Sequence, residues 1–225
     1  MGLIETAGET LFGESAKDLL VDYVELGLDS ITESDILKEI PIVRTVSALA
    51  KGSMAIKEKF FLKKFLSFIK EFNSGNVDEK EIAKRKNALN QNEEWIKREV
   101  EYLVIYIDNM DSIEKARIYA VLYRLYINNA INFERLSQYT EIVNRMLFYD
   151  FQKLKSFYHY SQVDKNELDY DITSYNRLIG LGLVDRDIYL EQDTSKYGKV
   201  FVDNSYFYRI TYSGKFIGKI ICELF

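Results

Sequence analysis

The chain has 225 residues, of which 47% are apolar and 29% charged, and its net charge at pH 7 is −5. This composition is typical of a globular chain with an apolar core, and it excludes a disordered chain or a fibre. One cysteine (Cys222) and one histidine (His159) exclude an intrachain disulfide and any zinc site built from four cysteine and histidine ligands.

The N terminus shows no targeting signal. Its first twelve residues include Glu5 and Glu9, with no basic residue and no sustained apolar run, unlike a secretory signal peptide. The longest charge-free apolar stretches, such as 102–107 and 118–123, have six residues, whereas a membrane helix needs about 20. We therefore expect a cytoplasmic protein without a transmembrane span.

Charge is distributed unevenly along the first seventy residues. Residues 1–40 contain ten acidic and two basic side chains, and residues 41–70 contain one acidic and seven basic side chains. Within 16–31, apolar residues recur at helical spacing opposite an acidic stripe formed by Asp18, Asp22, Glu25 and Asp29. This pattern predicts an amphipathic helix with an acidic outer face.

The next elements are a short helix that ends before Pro41 and a basic helix over 60–72. Pro41 is suited to the first position of a further helix. In the basic helix the apolar residues share about 160° of the circumference at 100° per residue, opposite three lysines and a serine. The apolar residues are Phe61, Leu62, Phe65, Leu66, Phe68, Ile69 and Phe72.

Three or more helices follow the basic helix. A polar helix is predicted over 78–90, and a helix with one apolar side over 93–109. The segment 113–128 is apolar nearly all round, which predicts the central buried helix, with Asp111 and Glu114 as its capping signal. Asn132 is the predicted cap of the next helix, whose period continues to the aromatic run 157–160.

The sequence pattern changes after residue 163. Glycines at 180, 182 and 198 alternate with segments of high β propensity, and a last helical run begins at Tyr212. We therefore predict a mainly α protein with two domains: a helical bundle body over 1–162 and a small α+β module over 163–225.

Two segments of this module carry a resemblance. Arg177 to Val184 contains a Gly-Leu-Gly-Leu-Val corner, and Tyr208 to Lys215 contains Ile-Thr-Tyr-Ser-Gly. Together they resemble the end of a winged helix, in which two strands form a wing and a threonine caps the final helix. The resemblance implies that Thr211 is this cap and that Gly214 belongs to the strand-to-helix joint.

Winged helices usually read DNA with a basic helix in the major groove. Here the corresponding helix, about 166–180, carries Glu167, Asp169 and Asp171 against a single arginine, Arg177. Because this charge is unfavourable for DNA, we expect the module to be structural or to bind protein.

The whole chain is also distantly similar to bacterial and prophage proteins of the Abi-alpha (abortive-infection) type. The similarity lies in the helical body, the Pro-Ile-Val segment at 41–43, the basic helix and the terminal module. It implies a role in phage defence and carries over no catalytic residue.

The basic stretch is the main candidate for a binding surface. Such a stripe can hold nucleic-acid phosphates, lie on an anionic membrane surface or contact an acidic protein. The alternative is that its phenylalanines pack into the bundle and its lysines form a solvated face. The candidate residues are Lys51, Lys57, Lys59, Lys63, Lys64 and Lys70.

No residue pattern indicates a catalytic, cofactor-binding or metal-binding site. Glu93, Glu94, Glu99 and Glu101 lack the Glu-x-x-His pairs of helical dimetal proteins, which predicts a solvated helix face. Phosphate-binding glycine loops are absent. His159 and Cys222 are predicted to lie in different modules, with Cys222 as a small apolar residue whose thiol pKa is raised.

The leading hypothesis is a non-enzymatic protein of bacterial or phage origin that acts through protein contacts in phage defence or counter-defence. The alternative is a nucleic-acid-associated regulator that uses 51–70, and the third hypothesis is a metal-independent enzyme. The partner and the oligomeric state stay open.

Overall fold

The computed structural model describes residues 2–13, 35–50, 54–160, 162–164, 172–194 and 200–225. Within them the chain is mainly helical, with a small antiparallel sheet near the C terminus. It forms two compact units, Met1–Asn144 and Arg145–Phe225. The predicted helix over 16–31 lies outside the described residues.

The N-terminal unit is built of helices. Their bounds are α1 (Leu3–Phe12), α2 (Asp35–Lys38), α3 (Pro41–Leu49), α4 (Ile56–Asn73), α5 (Glu79–Asn90), α6 (Glu94–Asn109), α7 (Ile113–Ile127) and α8 (Phe133–Arg145), of which the last ends one residue into the C-terminal unit. Helix α1 packs against α3, α5 and α6. The most extensive packing between two helices is that of α4 with α7.

Aromatic side chains form the core between α4 and α7. Phe68 of α4 lies 5.4 Å from the ring of Tyr119 and 5.8 Å from that of Tyr123, measured between centroids. All seven apolar residues predicted on the inner face of α4 are buried, and so is most of the circumference of α7. The predictions of an amphipathic α4 and a central buried α7 are therefore confirmed.

Helix ends follow local capping chemistry, with two departures from prediction. Ser112, rather than Asp111, caps α7 by accepting a hydrogen bond from the Lys115 backbone N–H. The single helix predicted from Asn132 to 160 is two helices, because Leu147 N–H donates to the Asp150 side chain and starts α9 (Phe148–Tyr160). Asn132 accepts from Arg135 N–H at the start of α8, as predicted.

The two compact units divide at a different position from the predicted domain boundary. The sequence predicts a boundary at 162/163, whereas the compact units divide between Asn144 and Arg145. Helix α9 packs against the C-terminal helices, so it belongs to the second unit. The apolar periodicity continues across this division, so the sequence pattern does not reveal it. Periodicity shows which face of a helix is buried, but it does not show which element that face packs against.

The C-terminal unit continues with β1 (Gln162–Asp164), α10 (Ile172–Gly180), β2 (Val184–Thr194), β3 (Val200–Ile210) and α11 (Tyr212–Leu224). The sheet order is β1-β3-β2, and β3 is antiparallel to both neighbours. A mainly helical body followed by a small α+β module is thus what the described residues form.

Two residues predicted at the strand-to-helix joint hold α11 in place. The Thr211 hydroxyl accepts from Gly214 N–H at 3.0 Å and donates to the Gly182 carbonyl at 2.8 Å. A Cβ at position 214 would lie 2.0 Å from the Leu183 carbonyl oxygen, so only glycine fits there. Gly182 itself has φ of +70°, the left-handed region that glycine adopts at little cost.

None of the helices among the described residues is long and apolar enough to cross a membrane.

Candidate functional site

The six candidate lysines do not form one surface. Lys57 is exposed and lies 3.8 Å from the Asp108 carboxylate. Lys59, Lys63 and Lys70 are half-buried, and Lys64 is buried. Lys51 lies outside the described residues.

Lys64 corrects the prediction of a solvated lysine face. Its side chain is 2% exposed, and its ammonium group donates to the backbone carbonyls of Asp108 at 2.7 Å and Met110 at 2.6 Å. Burial lowers the pKa of Lys64, while the carboxylates of Asp108 and Asp111 oppose this shift. The ammonium group caps the C-terminal end of α6, where cations are favourable, and it is not available to a ligand.

The remaining lysines of α4 separate by helical angle. At 100° per residue, Lys59, Lys63 and Lys70 lie within about 40° of one another, and Lys57 and Lys64 lie on a different side. Among the described residues, the predicted surface is therefore reduced to a half-buried stripe of three lysines and the separate, exposed Lys57.

A buried polar network lies between α5, α6 and α7. Arg85 donates to Glu99 at 2.8 Å and to Glu81 at 2.7 Å. The Tyr123 hydroxyl donates to the same Glu99 carboxylate at 2.6 Å, and the Tyr126 hydroxyl at 3.2 Å. This corrects the prediction that Glu99 belongs to a solvated helix face, because its side chain is 8% exposed.

The other three predicted surface carboxylates are indeed exposed: Glu93, Glu94 and Glu101. Among the described residues, no three carboxylate, histidine or cysteine side chains are grouped so as to hold a metal ion.

Electrostatics keep Arg85 charged at neutral pH. Burial alone would lower the pKa of Arg85, but the hydrogen bond and charge of Glu99 outweigh it and raise the pKa above its usual value. Burial raises the pKa of Tyr123, and the Glu99 charge raises it further. The Arg85 guanidinium therefore stays charged and the Tyr123 hydroxyl stays protonated at neutral pH, and their hydrogen bonds to Glu99 hold the three side chains together.

His159 and Cys222 are closer than the sequence predicted. They belong to the same compact unit, and the Cys222 Sγ lies 3.9 Å from the His159 Nε2. Burial raises the pKa of the half-buried Cys222 thiol; Lys155 opposes this shift and Glu223 adds to it. The raised pKa favours the protonated thiol at neutral pH, which is less nucleophilic than a thiolate.

Arg177 lies on the helix that corresponds to the DNA-reading helix of winged helices, and its side chain is already engaged. Arg177 of α10 forms a bidentate pair with Asp150 of α9, with hydrogen bonds of 2.7 to 3.0 Å. Asp150 is fully buried, and Ser174 accepts a further hydrogen bond from Arg177. This arginine therefore stabilises the C-terminal unit and is not free to bind a phosphate.

An apolar groove of about 410 Å³ opens on the N-terminal unit, between α1, α3, α4 and α6. Val46, Phe61 and Val104 are buried in it, whereas Leu49 is 67% exposed and Ile105 48% exposed. Lys57 and Asp108 form an ion pair at its edge. The groove combines an apolar interior with this ion pair and a second carboxylate, Glu58.

Sequence reasoning missed this groove because its residues come from four helices. The only signal was that Leu49 and Ile105 are apolar at positions outside the buried face of their helices. That signal is weak, since single exposed apolar residues are common on protein surfaces.

No protein-family model, curated protein or solved structure matches this chain. Function is therefore inferred from the geometry of the described residues.

Proposed function

We propose that the protein is a non-enzymatic interaction module of bacterial or phage origin, acting in the cytoplasm in phage defence or counter-defence. It binds an amphipathic helix of a partner protein in the apolar groove of the N-terminal unit. The observation that carries this proposal is the exposure of Leu49 and Ile105 beside a concave apolar surface.

The shape and chemistry of the groove favour a helix as occupant. Helices bind to grooves of this kind through apolar residues spaced three or four positions apart, while their polar face stays in water. The Lys57 and Asp108 side chains at the edge suit the mixed charges that flank such an apolar stripe. Lipid acyl chains would find no charge complementarity there.

The C-terminal unit supports protein contacts rather than DNA reading. Its chain order of helix, strand, helix and two-stranded hairpin, with sheet order β1-β3-β2, supports a winged-helix-like arrangement. Its candidate phosphate-binding arginine, Arg177, is occupied by Asp150. The assignment to phage defence rests on the resemblance to Abi-alpha proteins that we propose from the sequence.

The alternatives have less support. A nucleic-acid regulator using 51–70 loses Lys64 from its surface and retains a stripe of three half-buried lysines and Lys57, which pairs with Asp108. A metal-independent enzyme would need an activated group, and the Cys222 thiol has a raised pKa. We expect Cys222→Ala and His159→Ala to preserve the biological effect.

Phage challenge tests the proposal. Bacteria expressing the wild-type chain, the Leu49→Asp and Ile105→Asp variants, or the matched Leu147→Asp control are infected with a panel of phages. Leu147 is a half-exposed leucine of the C-terminal unit and lies outside the groove. We expect wild type and Leu147→Asp to change plaque formation equally, and both groove variants to lose the effect.

The partner is identified by placing a photo-crosslinking amino acid at position 49 and then measuring binding with the purified partner. A purified protein that binds wild type and Leu147→Asp, but not Leu49→Asp, supports the proposal. Crosslinks to nucleic acid or lipid alone, or equal plaque counts with wild type and empty vector across the panel, would contradict it.

A further inference from the structure

A second concave surface lies at the other end of α6, where α5 and α6 meet. It is a cleft of about 780 Å³, within the size range of small-molecule sites. Trp95 lines the cleft near the start of α6, and Ile105 of the apolar groove lies ten residues further along, or about 15 Å at 1.5 Å per residue. The cleft and the groove are therefore separate surfaces.

The indole of Trp95 is held ready for stacking. This residue is the only tryptophan of the chain, and it is 38% exposed. Its Nε1–H donates to Glu93 at 2.6 Å, and the guanidinium of Arg85 lies over the ring, 6.0 Å from its centroid. Glu81 and Glu99 hold Arg85 in turn, so the ring rests against a cation whose own position is fixed by two ion pairs.

One stripe of α5 supplies the polar side of the cleft. Lys80, Lys84 and Asn87 occur at i, i+4 and i+7 and therefore share a helix face. Both lysines are exposed, and neither forms an ion pair with any residue that the structure describes. The carboxylate on the lining, Glu93, already accepts the indole N–H.

We infer that this cleft binds a nucleoside phosphate, with the base stacked on Trp95 and the phosphates held by Lys80 and Lys84. Stacking on an aromatic side chain contributes about 1–3 kcal/mol per base and suits any base. The Asn87 amide can both donate to and accept from a base edge. A purely apolar ligand would leave the two ammonium groups without partners, and a simple anion would not use the indole.

A nucleoside phosphate can be a free nucleotide or one nucleotide within a single-stranded nucleic acid. Trp95 fluorescence measures both, because stacking quenches the single indole. The chain is titrated with ATP, adenosine, inorganic phosphate and a short single-stranded oligoadenylate, with free N-acetyltryptophanamide correcting for ligand absorbance. We expect saturable quenching by ATP or the oligonucleotide, with adenosine and phosphate binding at least about tenfold more weakly because each supplies one half of the contacts.

A matched pair of variants separates a built site from general charge attraction. Lys84→Glu removes a cation of the cleft, whereas Lys86→Glu makes the same change at an exposed position of α5 outside the lining. We expect Lys84→Glu to weaken binding at least about tenfold and Lys86→Glu to leave it within about twofold. Circular dichroism checks that both variants are folded.

The results of these titrations either distinguish a free nucleotide from a single strand as the ligand or show that the cleft is not a binding site. Tighter binding of the oligonucleotide than of ATP assigns the cleft to single strands, and the reverse order assigns it to free nucleotides. Absence of saturable quenching by either ligand, or equal weakening by Lys84→Glu and Lys86→Glu, overturns the inference. Neither result changes the proposal for the apolar groove, which the Leu49→Asp and Leu147→Asp comparison tests independently.

Discussion

The N-terminal and C-terminal units each pair an arginine with a carboxylate that is shielded from water, but the surroundings of the two pairs differ. In the N-terminal unit, Glu99 accepts from Arg85 and also from two tyrosine hydroxyls. In the C-terminal unit, Asp150 is 0% exposed and accepts from Arg177 and from the Leu147 backbone N–H.

The difference determines what happens when the arginine is lost. A buried carboxylate without its cation costs several kcal/mol, because the low dielectric of the interior does not stabilise an isolated charge. Glu99 would keep two neutral donors, whereas Asp150 would keep one backbone donor at the start of α9. The C-terminal unit should therefore depend more on its arginine than the N-terminal unit does.

The largest effect is expected for Arg177→Met. The variant keeps the apolar stem but leaves the Asp150 carboxylate buried, and we expect the free energy of unfolding to fall by about 3–5 kcal/mol. Urea unfolding followed by circular dichroism measures this loss. Trp95 fluorescence, which reports on the N-terminal unit, provides the comparison within the same sample.

A double variant shows whether the loss comes from the unpaired charge. In Asp150→Asn/Arg177→Met no buried charge remains, so we expect it to be more stable than Arg177→Met alone. Equal or greater destabilisation of the double variant would show that the pair is not energetically coupled.

Arg85→Met should have a smaller effect. Glu99 keeps the Tyr123 and Tyr126 hydroxyls, and we expect a loss of about 2–3 kcal/mol, typical of a charged hydrogen bond. Trp95 fluorescence during urea unfolding measures it. The matched control is Arg98→Met, whose pair with Glu94 is exposed at 3.4 Å and is worth under about 1 kcal/mol.

If Arg85→Met destabilised the chain as much as Arg177→Met, the tyrosine hydroxyls would not compensate Glu99. The contrast between the two units would then rest on burial alone.

The next largest loss of stability is expected for the buried lysine of α4, Lys64. Lys64→Met keeps the chain length of the side chain but removes the donor to two carbonyls at the end of α6, and we expect a loss of about 1–2 kcal/mol. Lys63→Met, its half-buried neighbour, should cost under about 0.5 kcal/mol. Thermal unfolding compares the two, and equal melting temperatures would remove the capping role of Lys64.

The sequence predicted those features that depend on local pattern. The inner face of α4, the central burial of α7 and the Thr211 cap all follow from spacing or from short-range chemistry, and the structure has them. The sequence did not reveal which polar residues are buried, because Lys64, Glu99 and Asp150 have the same spacing as solvated residues. Their burial depends on partners from other helices, which spacing along one helix does not specify.

The same limit applies to the candidate site. The lysine run predicted a continuous basic surface because each lysine was counted by its charge. Helix geometry instead places Lys64 in the interior, Lys57 at an exposed position, and Lys59, Lys63 and Lys70 on a half-buried stripe. The apolar groove is formed by residues distant in sequence, and the tryptophan cleft depends on how two consecutive helices, α5 and α6, pack together. Only the isolation of Trp95 as the one tryptophan could have drawn attention to that region.

The smallest effect at neutral pH, and the one that best isolates the N-terminal network, concerns its tyrosines. Burial raises the pKa of Tyr119, Tyr123 and Tyr126 above that in the unfolded chain, and the Glu99 charge adds to each shift. Above pH of about 10 the unfolded chain releases these protons while the folded chain retains them, so stability falls as pH rises and is unaffected below that range.

Tyr123→Phe removes one such group, and we expect it to cost about 1 kcal/mol at pH 7 but to reduce the loss of stability at alkaline pH. Urea unfolding followed by Trp95 fluorescence, from neutral pH to about pH 11, measures both slopes. Parallel slopes for wild type and Tyr123→Phe would show that the Tyr123 hydroxyl titrates freely and that the network around Glu99 is more open to water than the structure indicates.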